Sequence, residues 1–111
     1  MLKEKIDKIL RANLIGIRGE VSQKGIDEVL TELRMDHAVS MVPDEEYDAV
    51  LIAVNNHGVE LGYQYMGTVF NDKKNRFKDA EFITIGTVKN IVEPIEGLKL
   101  VSTKRSTYLV I

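Results

Sequence analysis

The stretch Ala49-Val50-Leu51-Ile52-Ala53-Val54 is apolar at six consecutive positions, and it constrains this chain more than any other feature. A strand with one wet face alternates apolar and polar residues; this one does not, so both of its faces must be covered. That places it at the centre of a sheet with helices on one side.

The rest of the chain from Tyr47 onward reads as further strands broken by turns. Asn55-Asn56-His57-Gly58 is a tight-turn sequence, because Asn and Gly accept the positive φ that hairpin turns require. It predicts a hairpin partner from Val59 to Phe70. Asn71 to Asp79 is a polar, Lys-rich loop, and Glu81 to Ile91 is the next strand, bent at Gly86. Glu93-Pro94-Ile95-Glu96-Gly97 predicts a turn, after which Leu98 to Thr103 and Thr107 to Ile111 flank a Lys104-Arg105 turn.

Before the sheet the period changes. Leu2, Ile6, Ile9 and Leu10 fall at helical spacing, with Lys3/Asp7 and Glu4/Lys8 four apart, which predicts a helix over residues 2 to 13. Gly16 and Gly19 mark a connector. Ser22 is a good N-cap for a second helix whose stripe is Ile26, Val29, Leu30 and Leu33, ending near Arg34 or Met35. Ala38 to Val42 suits a short strand stopped by Pro43.

The expected fold class is therefore α+β, two N-terminal helices packed on a mainly antiparallel β-meander of about five strands. At 111 residues, with no internal repeat, linker or low-complexity stretch, residues 1–111 are expected to form a single domain. With 44% hydrophobic and 29% charged residues, enough apolar surface can be buried to offset ordering entropy.

The absence of cysteine excludes disulfides, thiol catalysis, iron–sulfur clusters and thiolate zinc sites. The first ten residues interleave charge with apolar side chains, unlike a signal peptide, and no apolar run is long enough to span a bilayer. A cytoplasmic protein without a membrane partner is expected.

A net charge of −2 and a pI near 5.7 argue against a nucleic-acid coat protein. Distribution adds more. Residues 1–56 hold seven basic against eleven acidic residues, and the remainder holds eight against six, so the sheet half is mildly basic.

In a meander, alternate turns share one end of the sheet. The Asn71 to Asp79 loop and the Lys104-Arg105 turn are then expected to meet and to gather Lys73, Lys74, Arg76, Lys78, Lys104 and Arg105, with Phe77 and Tyr108 nearby. Such a rim suits phosphate, nucleotide or an acidic partner; Lys-rich turns also serve simply to blunt sheet edges. The acidic run Pro43 to Asp48 falls at the same end, where it either mimics nucleic-acid phosphates or neutralises the rim.

Other constellations are thin. His37 and His57 are the only histidines, and a metal site would need two further ligands that cannot be nominated. Gly16-Ile17-Arg18-Gly19 lacks the spacing of a phosphate loop. Leu61, Tyr63, Tyr65 and Val69 alternate as one strand face would, forming a stripe for bases, core or an interface. Asp27, Glu28 and Glu32 on the second helix oppose its use in reading DNA.

The segment Arg76 to Ile91, with Val101-Ser102-Thr103 and Ser106-Thr107-Tyr108-Leu109, resembles the endings of small phage and prophage accessory proteins. Those endings carry a turn with Asp-Gly, an Ile-x-Thr-Ser-x-Val strand and a final Thr-x-x-Ser-x-Tyr-x-Leu hairpin. Ala80 here stands where they have Gly, and Gly86 where they have Ser. The resemblance implies a host-interaction or counter-defence protein and assigns no residue a role.

The expectation is a non-enzymatic binding protein, an inhibitor or immunity-type factor, that engages a protein partner or an anionic small ligand without cofactor or metal. The alternative is a weak nucleic-acid binder using the same basic rim. An enzyme with a site assembled from Asp36, His37, Tyr63 and a carboxylate ranks third. Thr107 to Ile111, taken as an exposed edge strand, also suggests a homodimer formed by sheet extension.

Overall fold

The computed structural model describes residues 1–54 and 59–111, and the chain divides into two compact units, Met1–Met41 and Val42–Ile111. The Asn55 to Gly58 turn and His57 lie outside the described residues.

The first unit contains α1 (Leu2–Ala12), a small antiparallel hairpin of β1 (Leu14–Ile15) and β2 (Glu20–Val21), α2 (Gln23–Met35) and the short α3 (His37–Ser40). Ile6 on α1 and Val29 and Leu33 on α2 are buried, so the apolar stripes read from the spacing face inward. Lys5 Nζ reaches Glu32 across the helices at 3.5 Å.

Asn13 closes the turn between the helices. Its Nδ2 donates to the Ile9 carbonyl at 2.8 Å, and its own carbonyl accepts from Ser22 N at 2.8 Å. Ser22 Oγ then accepts from Gly25 N at 3.2 Å, the expected cap of α2. The expected strand at Ala38 to Val42 is instead the helical turn α3. Asp36 accepts from Val39 N at 3.0 Å, and this local cap decides the backbone where the apolar pattern was too short to do so.

Among the described residues the second unit carries a 3-10 turn (Asp44–Glu46) and six strands: β3 (Ala49–Ala53), β4 (Met66–Phe70), β5 (Glu81–Thr84), β6 (Asn90–Ile95), β7 (Leu98–Ser102) and β8 (Thr107–Val110). The α+β class and the mainly antiparallel sheet are as expected, but the order is β5-β4-β3-β8-β7-β6, with β3 and β8 parallel. A five-stranded meander is therefore corrected to a six-stranded mixed sheet. All five residues of β3 are buried, as its unbroken apolar run requires. A strand of that kind needs a neighbour on each edge, and apolar β8 fills the second edge.

This placement overturns the edge-strand route to a homodimer, because β8 lies between β3 and β7. The edges are β5 and β6, and β6 is blunted by Pro94 and by a register break between Val92 and Ile95. β6 also runs through Pro94, so the reversal expected at 93–97 falls at its end, where Gly97 takes φ +88°.

Two expected strands are shorter than their apolar patterns suggest. Residues 59–65 and 85–89 leave the sheet and bond to each other, with Gly62 N to Val88 O and Val88 N to Tyr63 O at 2.9 Å, and Ile85 N to Tyr65 O at 2.8 Å. Val59, Ile85 and Val88 are buried against Leu51, Val69, Val101 and Val110, so these residues cover one sheet face. The Leu61/Tyr63/Tyr65/Val69 stripe is corrected accordingly: Leu61 and Tyr63 are exposed outside any strand, whereas Val69 is in the core.

Candidate functional site: a cationic rim and groove

The end of the sheet at which β3 and β8 begin and β4 finishes gathers three connections. Val50 pairs with Phe70 and with Leu109, which puts the 44–48 segment, the 71–80 loop and the 103–106 turn together. The juxtaposition expected of a meander thus arises through a parallel pairing that a meander does not contain.

Asp72 organises the loop. Its side chain is 1% exposed. It accepts from the backbone N–H groups of Lys74, Arg76 and Phe77 at 3.2, 2.7 and 3.1 Å, and from Arg76 Nε and Nη2 at 3.2 and 3.0 Å. Burial alone would raise the Asp72 carboxyl; the Arg76 guanidinium and the backbone donors outweigh it and hold the group below its ordinary range. The same contact raises the Arg76 guanidinium above its usual value, against the effect of burial.

Three of the six rim cations are committed to internal bonds. Lys73 Nζ donates to the Asp44 and Tyr47 carbonyls, lies 3.2 Å from the Asp44 carboxylate and sits over the Tyr47 ring at 3.9 Å. Burial, then the Asp44 charge, raises the Tyr47 phenol. Lys74 Nζ donates to the Arg105 carbonyl at 2.6 Å and faces Asp48 at 3.7 Å. Arg76 stands over Phe77 and Tyr108 while Nη1 donates to Ser106 Oγ at 2.5 Å. The acidic run therefore neutralises part of the rim through Asp44 and Asp48. Lys78, Lys104 and Arg105 are exposed, and their side chains make no bond among the described residues.

Beside the rim lies an open groove of about 570 Å³, lined by Arg76, Lys89, Lys104 and Arg105, by the hydroxyl residues Thr84, Thr87, Thr103, Ser106 and Tyr108, and by Phe77, Ile85 and Gly86. No carboxylate lines it. Lys78 lines a different hollow, shared with Asp72, Asp79 and Glu81. Lys89 and Ser106 carry no local signal of a site, because the 85–89 pattern is that of a strand and Ser106 is an ordinary turn residue. The excess of Lys and Arg after residue 56 was the available signal.

His37 is exposed at the start of α3, and Asp36 is occupied as a cap, so these two do not form an acid/base pair. Among the described residues no group of three or more His, Asp or Glu side chains is placed to hold a metal. No described helix is long and apolar enough to cross a membrane.

No family model matches the chain, and no solved structure matches it. It is 39% identical over 79 residues to the uncharacterized 12.8 kDa protein in the cd-pseT intergenic region of Enterobacteria phage T4, across 71% of this chain and 69% of that protein. The chain belongs to the family of that phage protein, in keeping with the phage-type ending read from its sequence.

Proposed function

We propose that this member of the phage protein family is a non-enzymatic binding protein, an accessory or inhibitor-type factor that uses the cationic end of its sheet to hold an anionic ligand or an acidic protein surface. One observation carries the reading: the groove beside the rim sets four basic side chains around a concave surface with no acid in its lining. Lys73 and Lys74 support the loops through their bonds to the Asp44 segment and to the 105–106 turn, whereas Lys89, Lys104 and Arg105 are groove cations whose exposed side chains make no bond among the described residues.

The test is native mass spectrometry at low salt on protein purified from the cells that express it, with a Lys104→Glu/Arg105→Glu variant alongside. A bound species on the wild-type chain that is lost from the variant is the expected outcome. Equal retention by both removes the rim from the account.

A further inference from the structure

Ser106, at 5% exposure, is a buried hydroxyl residue on the groove wall beside the equally buried Tyr108. Its hydroxyl oxygen accepts from Arg76 Nη1 at 2.5 Å and from Lys74 Nζ at 3.3 Å, which occupies both lone pairs. No acceptor for its own proton occurs among the described residues. Lys74 and Arg76, both donating to this oxygen, polarise its O–H in the sense that favours an anion as the acceptor, and Ser106 lines the groove.

We propose that Ser106, with Lys104 and Arg105, forms a binding site for the phosphoryl group of a small phosphate ester of sugar or nucleoside size, whose organic part lies along Ile85, Gly86 and Phe77. The proposal rests on the anion-binding reading above and narrows it to a ligand class. The groove volume of about 570 Å³ falls in the range of small-ligand sites. Thr84 and Thr87 stand on the same lining and suit the oxygens of a sugar, whereas the Thr103 hydroxyl is spent within the turn on Arg105 N, Ser106 N and the Ser106 carbonyl. A phosphoryl group matches a donor set of one hydroxyl and two flexible cations, because it offers several acceptor oxygens over a small volume.

Gly86 allows the groove to be filled without disturbing the fold. A Cβ there would meet Thr103 Cβ at 3.6 Å, an ordinary contact, so Gly86→Asp places a carboxylate in the groove.

The experiment is an amide chemical-shift titration of the full chain at low salt with inorganic phosphate, ribose 5-phosphate, adenosine monophosphate, a ten-nucleotide oligothymidylate and a polyglutamate peptide. Expected are saturable shifts at Gly86, Thr87 and Lys104 to Ser106 with the phosphate esters. Ser106→Ala and Lys104→Ala each weaken binding about tenfold, Ser106→Thr keeps it, and Gly86→Asp abolishes it, with amides elsewhere unmoved. Lys104→Ala tests the site independently of the Arg76 contact that Ser106→Ala also removes. Shifts with the oligonucleotide or the peptide but not with the esters overturn the small-ligand site and leave anion capture standing. No shift with any anion overturns both. Equal affinity of wild type, Ser106→Ala and Lys104→Ala overturns the assignment of these residues.

Discussion

Arg76 forks onto Asp72, with Nε on one carboxylate oxygen at 3.2 Å and Nη2 on the other at 3.0 Å, while Asp72 is almost fully enclosed. The pair joins the loop to the start of β8, because Arg76 also reaches Ser106. Removing the acid strips three backbone donors and a guanidinium of their acceptor together. Asp72→Ala is expected to destabilise the fold by about 2–3 kcal/mol, and Asp72→Asn by less, measured by urea unfolding followed by circular dichroism. A loss below about 0.5 kcal/mol for the alanine variant would deny the loop its organising acid.

The same carboxylate sets a pH dependence. Its native pKa lies below the unfolded value, so between the two the unfolded chain binds more protons and stability rises with pH. Its contribution is fully present above the unfolded value of about 3.9 and is lost as pH falls through the native value. The Tm difference between wild type and Asp72→Asn should hold steady from neutral pH down to about pH 5 and shrink below about pH 4. A difference unchanged at acid pH would show that the Asp72 charge is not what the variant removes.

Ala80 adopts φ +70°, a conformation that costs an L-residue about 1–2 kcal/mol. Glycine at this position relieves that cost and returns part of it as entropy of the unfolded chain. Ala80→Gly is expected to stabilise by about 0.5–1 kcal/mol, and Ala80→Val to destabilise. Thermal unfolding of the three chains should rank them Gly above Ala above Val; a lower Tm for the glycine variant contradicts the strain.

Gly25 lets α2 approach the turn closed by Asn13. A Cβ at Gly25 would lie 2.4 Å from Asn13 Cβ and 2.9 Å from Val21 Cγ1. Alanine gains about 1 kcal/mol of helix propensity over glycine, yet the clash should win and Gly25→Ala should cost about 1–3 kcal/mol. Equilibrium unfolding decides the sign, and a stabilised variant would mean that Asn13 can move aside without loss.

Much of the local structure was legible along the chain. Apolar spacing located α1 and α2 almost to their ends, Ser22 named its own cap, and the unbroken run of β3 required burial on both faces. These features depend on residues a few positions apart, where period and capping chemistry act directly. The same patterns misled at Val59 to Tyr65 and at Ile85 to Lys89, because apolar residues that cover a sheet and apolar residues within one look alike in a single chain.

Strand order, the interior place of β8 and the groove itself were decided only by tertiary structure. Turn positions pointed to one end of the sheet for the 71–79 loop and the 104–105 turn, but which of their cations remain unbonded depends on Asp44, Asp48, Asp72 and Ser106, the farthest of them more than thirty positions away from the lysine or arginine it binds. Local pattern determined the elements and the sign of their charge, whereas pairing between distant segments determined which charges were spent on holding the fold and which were left to face solvent.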